Sequence, residues 1–423
     1  MNIQASEYGD ELSTASERER TLSKWIWVLI WTVLSFCPAI VLKSGSKLSP
    51  AVILAFLYVL ARIVRQSFPA LDQWPSILVV SISLYLGFQG TFLMMVNQRP
   101  IVFLLQAQWV TYFLAGFLLA YDIGYSQRGR SFLRSSIVYI GVVAAILGIV
   151  SIFTGPFYEY AKHTEARWKL PINRAVGTFE APSVLAAMLS VCVLLLFFSK
   201  VEHSSLSRKL SLLVMMAALI GTQSKAGILG TFLAILIGAL LSRRTRVVVV
   251  SLVLLCVVGG AIYWVTRQYQ IDVGDLIETD VEDRGTIIHK VIDKYVADDL
   301  APELFGIGYR QSATRSPDGI WITAHNSYVA FLREIGVFGL AMIVLFLAVL
   351  LHKLIQGEEL FPWAIALLGL GLMAVTETFL YATHSSLFLG AAGGLVCSLP
   401  EESAADLVDP EFSNPAYGVE SCT

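Results

Sequence analysis

Long apolar runs without a single charge limit this chain more than any other feature. Several reach about 18 residues or more, the length an α-helix needs to cross a bilayer's hydrocarbon core. LAAMLSVCVLLLFF (185–198) and FGLAMIVLFLAVLL (338–351) are the charge-free hearts of two such runs. Of 423 residues, 56% are hydrophobic and 15% charged, against about 25% charged in a soluble domain. A membrane β-barrel would alternate apolar and polar residues in segments of about ten, and these runs are too long and too uniform for that. The expected fold class is therefore an all-α polytopic membrane protein. Spans are expected at 24–42, 50–66, 76–96, 101–121, 135–154, 177–199, 208–222, 226–242, 247–266, 326–351, 360–380 and 384–399, about twelve in all.

Orientation follows from the lysines and arginines of the short loops, which favour the cytoplasmic side. One set of loops holds Arg62, Arg65, Arg128, Arg130, Arg134, Lys200, Arg208, Lys209, Arg243, Arg244, Arg246 and Lys353. The opposite short loops hold Lys43, Lys47, Arg99 and Lys225. Both termini are then cytoplasmic, and the longer loops 155–176 and 267–325 lie outside. The expected layout is a cytoplasmic tail (1–23), a bundle of about nine spans (24–266), an extracytoplasmic loop (267–325), a bundle of about three spans (326–399) and a second cytoplasmic tail (400–423). MNIQASEYGDELSTASERER is too acidic and too long for the n-region of a signal peptide, so the first span is expected to be retained. The five cysteines, Cys37, Cys192, Cys256, Cys397 and Cys422, have no metal or redox spacing. The first four lie in apolar runs and read as small buried hydrophobes. Ser81, Ser83, Gly87, Gly90, Gly369 and Gly371 fit close helix packing. No internal repeat of the kind found in many transporters is evident.

The polar stretch from Thr266 to Asn326 interleaves Arg284, His289, Lys290, Lys294, Arg310 and Arg315 with acids and aromatics. A long polar loop of that kind between membrane helices is functional or disordered, and its aromatics and apolar periodicity favour function. In VEDRGTIIHKVIDKYV (281–296), Ile287, Ile288, Val291, Ile292 and Tyr295 recur at helical spacing, which predicts a short interfacial helix with Asp283 as N-cap. Arg284 in its first turn opposes the helix dipole unless an anion is held there; a simple ion pair with Asp283 or Glu282 is the plainer alternative. Gly306 and Gly308 predict a tight, backbone-exposed turn before Arg310. His325 and Asn326 stand where the chain re-enters the membrane, and Asn326 or Ser327 can cap the helix that follows. Arg174 precedes the sixth span, with Glu180 and Pro182 at its start. Lys225 sits in a tight outer turn, where a snorkelling role is the alternative. Glu377, expected near the outer end of the eleventh span close to His384, is an intramembrane acid and hence a functional candidate.

Together these segments resemble the bacterial O-antigen ligase and polymerase superfamily of polytopic envelope proteins. The resemblance rests on Arg174 with Gly177-Thr178-Phe179 and Pro182, on Ser224-Lys225-Ala226-Gly227, and on Asp283-Arg284. It rests also on Gly306-Ile307-Gly308 and on His325-Asn326-Ser327-Tyr328 followed by Glu334, Gly336 and Gly339. Two departures stand out. Lys225 replaces the usual arginine and cannot offer its bidentate fork, and Glu180-Ala181-Pro182-Ser183 replaces an Asn-Pro-Asn-like run.

The resemblance implies catalytic roles for Arg284 and His325, and substrate binding by Arg174. Lys225, Arg310, Asn326 and Glu377 are the further binding candidates. It also implies a multi-pass enzyme of the bacterial inner membrane that moves an oligosaccharide or polysaccharide from undecaprenyl pyrophosphate to a lipid-linked or saccharide acceptor. No cofactor or metal is expected, since cations would stabilise the departing pyrophosphate. The bilayer is an expected partner and nucleic acid is not. Ligase and polymerase readings differ only in the acceptor. A transporter or flippase of an anionic or lipid-linked substrate, or a non-catalytic scaffold, are the alternatives from other classes.

Overall fold

The computed structural model describes residues 3–41, 47–65, 68–69, 73–97, 100–158, 173–199, 205–242, 300–308, 314–315, 321–322, 326–375, 377, 380 and 382–399. Helices dominate: α1 (Ile3–Phe36), α2 (Ala51–Val64), α3 (Trp74–Asn97), α4 (Pro100–Gly124), α5 (Gln127–Thr154), α6 (Pro182–Phe198), α7 (Ser205–Gly221) and α8 (Lys225–Leu241). After them come the short α9 (Leu300–Phe305), then α10 (Ser327–Gln356), α11 (Phe361–Ala374) and α12 (Thr383–Cys397). Two antiparallel pairings of two residues each, Ile40–Val41 with Lys47–Leu48 and Thr314–Arg315 with Trp321–Ile322, are the strand structure among the described residues. They do not alter the all-α class.

Four helices, at Trp74–Val96, Pro100–Gly124, Gln127–Thr154 and Ser327–Gln356, are long and apolar enough to cross a membrane by themselves. Shorter apolar helices accompany them at Ala51–Val64, Pro182–Phe198, Lys225–Leu241 and Phe361–Ala374. Large apolar side chains such as Phe88, Phe153, Leu84 and Trp25 project outward. Water-soluble monomers rarely carry so many, and lipid is their natural neighbour. This is a membrane protein.

Eleven of the expected spans coincide with described helices, while the ninth, at 247–266, lies outside the described residues. Several expectations need correction. The first span ends at Phe36 rather than near residue 42, because Pro38 disfavours helical backbone at Cys37; Cys37 is consequently exposed, while Cys192 and Cys397 are buried. The eleventh ends at Ala374, which leaves Glu377 in the link to α12. Gly87 has open space around it, so no close packing depends on it.

Close packing is strongest between α4 and α12. A Cβ on Gly116 would overlap the Leu387 carbonyl, and Cβ atoms on Gly390 and Gly394 would overlap the carbonyls of Phe113 and Phe117. In lipid, where apolar side chains gain nothing by leaving their solvent, small residues that let backbones touch are what join helices. Around this pair the chain runs up and down, so α5, α7 and α11 finish at the end of the bundle where α6, α8, α10 and α12 begin. The opposite end carries Arg62, Arg65, Arg128, Arg130, Arg134 and Arg208. There Arg62 Nη2 meets Asp122 Oδ1 at 2.8 Å and Arg130 meets Glu359 at 2.8 Å.

Candidate functional site

Arg174 lies at the first of these ends, in the irregular segment that leads into α6. Its side chain is 7% exposed, and Nε donates to the Thr222 carbonyl at 2.9 Å. The segment holding it is fixed residue by residue. Ala175 N donates to the Gly221 carbonyl at 2.8 Å, and Ser151 Oγ accepts from Val176 N at 3.0 Å and Gly177 N at 2.9 Å. Gly177 turns with φ of +57° where a side chain would press on the backbone of Gly148. Thr178 Oγ1 then donates to the Ser35 carbonyl at 2.6 Å, which ties the segment to α1. Pro182 occupies the first turn of α6, where its fixed φ suits a helix start.

Lys225 is the first residue of α8. Ser224 caps the helix through its side chain, accepting from Gly227 N, and Thr222 and Gln223 make the turn from α7. Gln223 has φ of +51°, an unusual conformation for a residue with a side chain, and is buried. Strained backbone of this kind persists where surrounding structure demands it, often at functional sites. The turn therefore places Lys225 and the positive end of the α8 dipole beside the residue whose carbonyl holds Arg174. Guanidinium, ammonium and helix start together form a setting suited to an anion.

Asn326 caps α10, its Oδ1 accepting from Tyr328 N at 2.9 Å and Val329 N at 3.0 Å. Of the two capping candidates it is the one used; Ser327 instead donates to the Glu377 carbonyl at 2.6 Å. Glu377 is thus joined to the start of α10 through its backbone. Packing of α8 on α11, close enough that a Cβ on Gly230 would strike Met373, brings the two halves of this end together. Arg174, Lys225, Asn326 and Glu377 accordingly share one end of the bundle. Arg284, Arg310 and His325 lie outside the described residues, as does the expected interfacial helix at 281–296.

Gly306 and Gly308 do not form an exposed turn as expected. Both are buried, with φ of +79° and +104°, against a break in α10 where Gly336 takes φ of +69°. Ile307 N donates to the Arg333 carbonyl at 3.0 Å and Gly308 N to the Glu334 carbonyl at 2.9 Å. From α3, Gln89 Nε2 donates to the carbonyls of Phe305 and Glu334, and Tyr85 OH to the Ile335 carbonyl at 2.6 Å. Gln106 Nε2 holds Gln89 through its Oε1 at 2.7 Å. Carbonyls released by the break are therefore satisfied within protein, as non-helical backbone at membrane depth requires. Arg333 and Glu334 are themselves buried there.

Sequence reasoning missed Ser151, Gln89 and the setting of His384. The His384 ring packs at a tilt against Phe179 (5.1 Å between centroids) and Trp31 (6.0 Å), with Nε2 3.3 Å from Ser35 Oγ. Thr178, Phe179, Glu180, Gln108, Thr383 and His384 line an open cleft next to the Arg174 segment. A polar residue such as Gln89 or Gln108 within an apolar run was the available signal.

Residues 210–344, about a third of the chain, match the family model described as O-antigen ligase, and the match supports the resemblance to the O-antigen ligase/polymerase superfamily. The match contains Lys225, Arg284, Arg310, His325 and Asn326, together with both glycine motifs at the α10 break; Arg174 and Glu377 fall outside it. No curated protein matches the chain. The family supports a membrane enzyme of glycosyl transfer, working on lipid-linked glycans at a bacterial inner membrane.

Proposed function

We propose that this protein transfers an oligosaccharide or polysaccharide from undecaprenyl pyrophosphate to an acceptor hydroxyl on the extracytoplasmic side, without a metal. The observation that carries the reading is Arg174, buried and held by the Thr222 carbonyl next to the start of α8. Arg174 and Arg284 bind the pyrophosphate, with Lys225 and Arg310 assisting. Asn326 and Glu377 are further substrate-binding residues.

His325 takes the proton from the acceptor hydroxyl. Its oxygen forms a bond to the anomeric carbon as the bond from that carbon to the pyrophosphate oxygen breaks. The leaving lipid pyrophosphate keeps the electron pair, and the cations stabilise its growing charge, a contribution of about 3–4 kcal/mol for one well-placed donor. An imidazole, which can take and give a proton, suits the transfer. One direct displacement inverts the anomeric centre.

Arg284→Ala and His325→Ala in the native host test the assignment. Surface polysaccharide is expected to be lost in both while the protein still inserts; unchanged polysaccharide in both sinks it. On a gel, loss of all capped lipid marks a ligase, and a ladder reduced to a single repeat unit marks a polymerase.

A further inference from the structure

The polar cleft beside the Arg174 segment lies between the end of α1, the approach to α2, the body of α4 and the starts of α6 and α12, and has a volume of ≈ 80 Å³. Space of that size takes several water-sized groups at about 10–15 Å³ each, which matches the hydroxyls along one edge of a sugar ring. Gln108 lines it from α4 and is 6% exposed. The Gln108 Oε1 is buried, with no hydrogen-bond partner among the described residues. A buried amide oxygen without a donor weakens a fold, so a donor from outside the chain is its natural partner. Thr383 brings a hydroxyl to the same cleft, Glu180 a carboxylate and His384 an imidazole. No lysine or arginine is among the described residues that line it, and Glu180 is the one acid. Such a lining offers little to a phosphate or a metal ion. Neutral donors and acceptors crowded together suit a ligand rich in hydroxyls.

The cleft is built on the segment that carries Arg174. Thr178, Phe179 and Glu180 line it and follow Arg174 closely in sequence. Phe179 N donates to the Val176 carbonyl at 3.0 Å, so the segment folds back on itself instead of running away from Arg174. The rings of Phe179 and His384 join it to α12, and Trp109, next to Gln108, donates to the Leu380 carbonyl at 3.1 Å. We propose that this cleft is the subsite for the sugar joined directly to the pyrophosphate, a neutral pyranose whose hydroxyl donates to Gln108 Oε1. The inference rests on the reading of Arg174 as a pyrophosphate ligand: the first sugar is one oxygen away from the phosphates and has to lie beside whatever holds them. An acidic sugar would meet the Glu180 carboxylate and no cation, which makes the subsite selective for uncharged rings.

Cys37 lines the same cleft and is exposed, so its thiol reports occupancy without any need for transfer. The full chain in nanodiscs is treated with N-ethylmaleimide, and alkylation of Cys37 is followed by peptide mass spectrometry. Undecaprenyl-pyrophosphate-linked oligosaccharide from the native host is expected to slow alkylation about tenfold at about ten times its half-protecting concentration; undecaprenyl pyrophosphate alone should protect far less. Gln108→Leu is expected to raise the half-protecting concentration about tenfold, the loss of one buried hydrogen bond. Without ligand the same variant should unfold at no lower temperature than the parent, since leucine leaves no polar atom unpaired. Thr383→Val is expected to weaken protection in the same direction and carries the test if Gln108→Leu fails to fold. Equal protection by undecaprenyl pyrophosphate without its sugar overturns the proposal, as does a half-protecting concentration unchanged in every folded variant. Absent protection in protein that still transfers sugar overturns the subsite and leaves the proposed reaction standing. Sugar-dependent protection in protein that forms no glycosidic bond does the opposite.

Discussion

The start of α8 and the break in α10 both fall within the segment that matches the O-antigen ligase family, yet they are built from different parts. At α8, a buried turn with a strained Gln223 places charged side chains: Lys225 leads the helix and the Thr222 carbonyl holds Arg174. At the α10 break, glycines let two backbones meet, and neutral donors from Gln89, Tyr85, Ile307 and Gly308 occupy the carbonyls of residues 333–335. The first arrangement presents charge to whatever lies at that end of the bundle. The second spends its polar groups on one another and holds shape. Motifs that lie in one matched segment thus divide into one that gathers charged side chains and one that joins two backbones.

That division predicts different failures. Gly336→Ala is expected to have the largest effect on folding, since its Cβ would overlap the Leu304 carbonyl at a positive φ; a loss of about 3 kcal/mol or more should appear as a sharply lowered Tm in detergent. Arg174→Ala should do the reverse. Transfer is expected to fall by about a hundredfold or more, with a much smaller change in Tm; a collapse in Tm equal to that of Gly336→Ala would make Arg174 structural and erase the contrast. Gln89→Leu removes one of two donors from each of the Phe305 and Glu334 carbonyls and leaves the buried Gln106 Nε2 without its acceptor, so a loss of about 1–3 kcal/mol in stability is expected, read by thermal unfolding. Smallest is Lys225→Arg, which keeps the charge at the α8 start and should leave transfer within a few fold, whereas Lys225→Ala should cost about tenfold.

Much of the bundle was legible because apolar length is imposed by the bilayer and needs no partner to be read. The α10 break was not. REIGVFG looks like continuing helix, and only the docking of residues 304–308 gives Gly336 its non-helical backbone. Gly306 and Gly308 were recognised as a turn but their burial depended on the same distant partner. The early end of the eleventh helix, which moved Glu377 into a link, has no proline or glycine beside it to signal it. Arg174 and Lys225 were legible as cations in places where apolar sequence predominates. Their shared position was not, because it depends on the hydrogen bonds of Arg174 and Ala175 to Thr222 and Gly221.

The central claim is that cations at the Arg174 end of the bundle stabilise a departing lipid pyrophosphate. Purified protein in proteoliposomes, supplied with an undecaprenyl-pyrophosphate-linked oligosaccharide and a lipid-linked saccharide acceptor in the presence of a metal chelator, measures it directly. The expected result is glycosylated acceptor with one lipid pyrophosphate released per bond formed, abolished by Arg174→Ala in protein that remains folded. Movement of the donor across the membrane without any new glycosidic bond, or full transfer by the Arg174→Ala protein, would contradict the account.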